Sequence, residues 1–304
     1  MELGNSSNAK GFDNVFSEII STEKLSLKNN NCLRLFHLDI SNNEFSYAGL
    51  HGLLKKNIGR YVFSRAKIEK FIEEECIEAI GLDAVELLRS ASNSNDNGAG
   101  GELGEILLYL FLEIKLGAPK LLSKMELKTS SNQYVFGSDG IHLLRLEDKV
   151  FQLVLGESKI KGCLEDAVDN ALESVKKVSR EPDNELRLVD NRILSEVFDE
   201  KAADFIKSLI VPSKRDSSMS VDKAFGIFLG YTLDIDSAQY TNQEYREVVK
   251  QKLKEDVDSV AKYIMDKINK SGLIGYSFYF FVVPFNDAAK DRANIIKKLK
   301  GEEK

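Results

Sequence analysis

The chain has 304 residues, 43% of them hydrophobic and 30% charged, which is enough for one large domain or two modest ones. Its 42 basic and 48 acidic side chains leave a formal net charge of −6, which excludes a general nucleic-acid coat but not a local basic cleft. Cys32, Cys76 and Cys163 are widely spaced and form no CxxC pair, so reduced, buried thiols are expected rather than a disulfide framework. His37, His51 and His142 stand at no ligand spacing to them, which removes a zinc site. The segment Met1 to Gly11 lacks the apolar centre of a signal peptide, and the longest apolar run, Tyr276 to Phe285, is too short to span a bilayer. A soluble, cytoplasmic protein is the expectation.

Residues 1–11, rich in Asn, Ser and Gly, read as disordered. Cys32 to Ile40 reads as a strand, and from Ser46 to about Ser90 the apolar spacing becomes helical. Asn93 to Gly101 is a loop by composition, followed by a strongly apolar helix from Glu102 to Leu116 with Gly117 as its stop signal. Tyr134 to Phe136, Ile141 to Leu146 and Val150 to Leu155 read as short strands. Leu164 to Ser179 carries one apolar stripe and reads as an amphipathic helix. Helical signals then run to Ile210, with loops around Pro182 and from Pro212 to Ser220. Ala224 to Leu233 reads as a strand, Thr241 to Ser271 as a long charged helix, and Tyr276 to Pro284 as a buried strand. A helical, charged tail follows from Ala288.

Strands followed by helices predict an α/β fold with a central mixed sheet flanked by helices. The division expected is a strand and helical N-terminal elaboration over residues 1–95, a core over 96–287 and the charged tail over 288–304.

Chemistry concentrates in Gly137-Ser-Asp-Gly-Ile-His142 and Leu155-Gly-Glu-Ser-Lys-Ile-Lys161. Leu153, Leu155, Glu157, Lys159 and Lys161 share parity, so a strand presents them on one face. If Asp148 is the midpoint of the intervening turn, Asp139 and Glu157, nine residues to either side, oppose each other. Opposed Cβ atoms lie roughly 4.5–5.5 Å apart. Two carboxylates at that distance repel unless a proton or a cation joins them, and a divalent metal resolves the conflict. A two-residue turn would instead shift the opposition by one position.

An Asp followed eighteen positions later by Glu-x-Lys on a hairpin resembles the PD-(D/E)xK restriction-endonuclease-like superfamily, with Ser138 in place of its proline. With the GELGE, GSDGIHLL and LVLGESKIK runs added, the chain is similar to the HamA family, the nuclease subunits of the Hachiman antiphage defence system. That resemblance implies a restriction-endonuclease-like core and a Mg²⁺-dependent DNA endonuclease in which Mn²⁺ can substitute. It implies Asp139 and Glu157 as metal-binding acids, Lys159 as the catalytic lysine and Ser158 as a residue lending its backbone carbonyl to the metal. A further acid from the preceding helix is implied as well; Glu102 and Glu105, one turn apart, both qualify. The implied partners are DNA and a superfamily 2 helicase that restrains the nuclease until it engages DNA.

Other readings stay open. Lys161 shares the active face and is a candidate phosphate contact, though exposed lysines are common. Acids in a first helical turn are favoured by the backbone dipole in any protein, so Glu102 and Glu105 also have a purely structural explanation. His142, of opposite parity, reads as packed, and Asp234 and Asp236 as a capping turn. An RNA-directed nuclease would use the same residues. A non-catalytic scaffold that retains a nuclease-like fold is the reading from a different class.

Overall fold

The computed structural model describes residues 3–19, 25–93, 101–123, 125, 137–180, 200–214 and 216–302. In chain order these form α1 (Phe12–Val15), β1 (Phe16–Ile19), β2 (Asn31–Leu38), the small hairpin of β3 (Ile40–Ser41) and β4 (Glu44–Phe45), α2 (Ala48–Val62), α3 (Arg65–Glu73) and α4 (Ala79–Asn93). Then come α5 (Glu102–Ile114), β5 (Lys120–Ser123), β6 (Gly140–Glu147), β7 (Val150–Ile160), α6 (Leu164–Arg180) and α7 (Glu200–Ile210). The chain closes with β8 (Ser220–Thr232), α8 (Asn242–Ser271), β9 (Ser277–Phe285) and α9 (Ala288–Lys300).

The α/β architecture expected from the sequence is the one adopted: a mixed sheet in the order β1-β2-β9-β8-β7-β6-β5, flanked by helices. Its centre, β2-β9-β8-β7, is parallel, while β1 and the β5–β6 edge run antiparallel. Parallel neighbours need crossover helices, which α6 to α8 supply. Every residue of β9 is buried, as a strand covered on both faces requires. Pro284, which has no N–H, sits beyond the last β2 pair, Leu35↔Val282, where no ladder donor is missed.

Helix α5 lies on one face of the sheet and α6, with α8 stacked on it, on the other. The approach of α5 depends on small residues. A Cβ added at Gly156 would stand 2.9 Å from Leu108, one at Gly226 2.5 Å from Leu112, and one at Gly104 2.9 Å from the Ser158 hydroxyl. Positions 104, 108 and 112 form one i, i+4 ridge of α5, seated in a groove that only Gly156, Gly226 and Ser158 leave open. Long α8 is set by local signals: Thr241 and Glu244 form a capping box, and Gly272 closes it at φ +72°.

Two expectations need correction, and one strand went unanticipated. Residues 3–11 are held in place: Asn5 donates to the Glu113 carbonyl at 2.6 Å, Ser6 Oγ to the Glu113 carboxylate at 2.8 Å, and the Asn8 N–H to Asn57 at 2.6 Å. Their polar composition reflects hydrogen bonds to buried groups, the Glu113 carbonyl and carboxylate and Asn57, rather than solvation. Strand β5, which pairs with β6, escaped the periodicity because four residues after a proline carry too little pattern. The cysteines are free, but Cys76 and Cys163 are exposed and Cys32 is only partly covered. The strand expected over residues 134–136 and the loop tip over 94–100 lie outside the described residues.

The N-terminal strands β1 and β2 join the same sheet as β6 to β9. The C-terminal segment is helical through Lys300, with Ile295, Ile296 and Leu299 packed inward. Among the described residues, no helix is long and apolar enough to cross a membrane.

Candidate active site

The β6–β7 hairpin sets the site. Its pairs Gly140↔Gly156 through Arg145↔Phe151 are symmetric about Asp148, the register that aligns Asp139 with Glu157. The turn itself spans two residues, closing at Glu147↔Val150 with Lys149 in the left-handed region at φ 59°. An extra residue on β6, between Arg145 and Glu147, restores the symmetry. The turn is thus shorter than the symmetric reading assumes, and the bulge compensates for it.

The regular ladder stops at Gly140. Beyond it the Asp139 N–H donates to the Gly156 carbonyl at 2.8 Å. The Asp139 carboxylate then accepts the Ser158 N–H at 2.9 Å and the Ser158 hydroxyl at 2.7 Å. A side chain thereby replaces the missing strand partner, which fixes the Asp139 carboxylate at the start of β6. Ser158 is buried beneath Gly104 of α5, so a larger residue there would displace the helix.

Glu157 points to the opposite face, toward Ser174 of α6, and is 4% exposed. Burial, and next the charge of Asp139, push its carboxyl up to about 7; the Lys159 charge, its hydrogen bond and that of Ser174 act in the other direction. Lys159 bonds Glu157 directly and remains about a quarter exposed, at 26% of its side chain. Lys161 lies just past the end of β7, exposed, its N–H bound to the Gly230 carbonyl at 2.9 Å.

The two helix acids separate in environment. Glu105 is buried and accepts the Tyr61 hydroxyl at 2.7 Å. Glu102 instead accepts from Lys300 of α9 at 3.2 Å. The Tyr61 hydroxyl is held well above its ordinary range, first by complete burial, then by the charges of Glu105, Asp139 and Glu102. Glu105 thus contacts the phenol on the α5 face, with the charges of Asp139 and Glu102 felt there, while Glu157 and Lys159 occupy the α6 face. The charge of Asp139, at the start of β6, acts on both groups.

His142 is packed, with Nδ1 2.8 Å from the Ala118 carbonyl and burial lowering its pKa to about 4. Asp236 caps a short turn, accepting the Ala238 N–H at 3.2 Å. Sequence reasoning missed Tyr61, Ser174 and Lys300, which reach the site from distant elements with no local signature. Among the described residues, no three His, Cys, Asp or Glu side chains converge as a ready metal cage.

A search of curated proteins finds no match. A family model described as HamA matches residues 13–299, a span that holds both acid groups, the hairpin and the helix packed over it. The chain therefore belongs to the HamA family, a membership that supports a role in Hachiman antiphage defence.

Proposed function

We propose that this chain is a Mg²⁺-dependent DNA endonuclease, the effector of a helicase–nuclease defence complex, hydrolysing phosphodiester bonds with a water nucleophile. The observation that carries this reading is Glu157. A carboxyl buried at 4% exposure, beside the Asp139 charge and with its ionisation pushed up to about 7, is poorly placed as a structural carboxylate. Burial combined with like charge is what a divalent cation relieves.

The donor chemistry fits Mg²⁺ or Mn²⁺. Such hard cations take one or two carboxylates and leave their remaining positions to water and phosphate. Asp139 and Glu157 would supply the carboxylates and Ser158 a backbone carbonyl, so a closed protein cage is not needed. When bound, the metal would supply positive charge against the phosphate and a water of lowered pKa.

The other side chains have separate roles. Lys159 orients the attacking water beside the scissile phosphate. Glu105, steadied by Tyr61, is the helix acid of this reading, since Glu102 is engaged by Lys300. Lys161, exposed at the strand's end, contacts a neighbouring backbone phosphate. No base-reading module is recognisable, so cutting is weakly sequence-selective and is governed by the superfamily 2 helicase partner, in the cytoplasm.

The scaffold alternative has one observation in its favour. Lys159 and Lys300 already pair with Glu157 and Glu102, so the acids are partly neutralised by protein cations alone.

Supercoiled plasmid incubated with the purified chain, with and without the helicase subunit, separates the two readings. Mg²⁺-dependent nicking that falls at least about 100-fold in Glu157→Ala and Lys159→Ala, a transition-state loss near 3 kcal/mol, is the expected result. No cleavage in any combination, or cleavage indifferent to both substitutions, moves the assignment to a scaffold.

A further inference from the structure

Four large apolar side chains stand exposed among the described residues, and three of them, Ile72, Ile77 and Leu82, fall between positions 72 and 82. Their exposures are 54%, 53% and 71%. They belong to a fixed element: the Cys76 N–H donates to the Phe71 carbonyl at 2.9 Å, and Glu75 makes the bend at φ 55°. The inward face of the α3–α4 pair is already filled. Phe71 packs on Phe63 with ring centroids 5.3 Å apart, and Ala84 and Leu88 are buried in the core. The interior of the pair does not depend on the outward aliphatic residues, and grouped exposed apolar residues mark interaction surfaces.

Charge narrows what the surface accepts. Between Arg65 and Glu86 the chain carries seven acidic and three basic residues. Glu73, Glu74, Glu75, Glu78 and Glu86 of the same segment are also exposed. The basic residues are engaged nearby: Arg65 lies 3.8 Å from buried Glu113, Lys70 3.6 Å from Glu74, and Lys67 stands over the Phe71 ring. An acidic rim repels phosphate, which excludes nucleic acid as the occupant. It also repels the same face of a second copy.

We propose that the α3–α4 face is the docking surface for a protein partner whose contact region is apolar at its centre and basic at its rim. This inference rests on the partner reading above, in which that protein is the helicase subunit. The surface is physically tied to the acid centre. Arg89, further along α4, donates to the Lys300 carbonyl, while the Lys300 ammonium holds Glu102. A partner seated on α4 thus bears on the helix that carries the site's acids.

The test uses the full chain and the helicase subunit of the same defence system. Affinity is measured for wild type, Ile77→Asp/Leu82→Asp and Glu73→Lys/Glu78→Lys, with thermal melts to show that the exposed substitutions leave folding intact. Exposed Cys76 supplies an independent reading through alkylation, with exposed Cys163 as the internal reference. At least tenfold weaker binding by both variants, a wild-type affinity that falls with salt, and protection of Cys76 in the complex are expected. Unchanged affinity with Cys76 fully reactive in the complex overturns the docking surface and leaves the partner reading standing. No association of the wild-type proteins overturns the partner reading, and the docking surface with it. Self-association of the chain that the aliphatic variant abolishes assigns the face to a second copy and also overturns the proposal.

Discussion

Glu113 and Glu157 are both buried carboxylates, at 0% and 4% exposure, and their surroundings differ in kind. Glu113 is ringed by donors: the Lys120 N–H and Ser6 hydroxyl each at 2.8 Å, the Ser7 N–H, and Arg65 at 3.8 Å. Burial acts to raise its pKa, but the donors outweigh burial and hold the carboxyl below its ordinary range. Glu157 has Lys159 and Ser174 on one side and the Asp139 charge on the other, and its pKa moves upward. Lys120 extends the contrast: its buried ammonium donates to the carbonyls of Arg60, Tyr61 and Phe63 at 2.9, 3.1 and 3.1 Å, closing the end of α2. Donors thus outweigh burial in one region, while in the other burial and a neighbouring like charge outweigh the donors. Burial alone therefore does not set a carboxyl's ionisation; the balance of donors against like charge does.

The sharpest way to break this comparison is Glu113→Ala. It strands the Lys120 and Ser7 amides and leaves Arg65 facing an emptied site, so a loss of about 3–5 kcal/mol in chemical denaturation is expected. A loss below about 1 kcal/mol would remove the distinction between the two regions.

Glu157→Gln should act in the opposite direction. Because folding raises the pKa of Glu157 from 4.5 to about 7, its contribution to stability is fully present below pH 4.5 and is lost as pH rises through 7. At pH 8 with chelator, the glutamine variant is therefore expected to be more stable than wild type by on the order of 3 kcal/mol, the gain vanishing below about pH 4.5. Urea titrations at pH 4.5 and 8 measure this, and a variant less stable than wild type at pH 8 would contradict it.

The smallest effect belongs to Ser158→Ala. It removes one of the two Ser158 donors to Asp139 and keeps the clearance for α5, so a loss of about 1 kcal/mol is expected. If Asp139 is a metal acid, the same substitution also reduces the thermal shift produced by Mn²⁺, which differential scanning reads directly. An unchanged shift would leave Asp139 positioned by the backbone alone.

Much of the hairpin was legible beforehand. The shared parity of Glu157 and Lys159 and the symmetric register about Asp148 follow from alternation along one short segment. The mistaken turn length did no harm, because the bulge between Arg145 and Glu147 returned the pairing to the same register. The N-terminal segment was misread for an instructive reason. Asn, Ser and Gly look alike to a composition argument whether water or buried protein groups accept their hydrogen bonds. Glu102 and Glu105 could not be told apart, since their distinction lies in Lys300 and Tyr61, which are remote in sequence.

The sequence by itself determined what depends on near neighbours: the Thr241 cap and Gly272 stop of α8, the apolar strand β9, and the spacing of Asp139, Glu157 and Lys159. These features involve residues a few positions apart, or a single hairpin, where backbone geometry leaves few choices. Tertiary structure alone decided which acids share an environment, how strongly Glu157 resists ionisation, and that Ile72, Ile77 and Leu82 face outward. Burial and charge coupling arise from groups that chain folding brings together across long separations, and no local pattern encodes them.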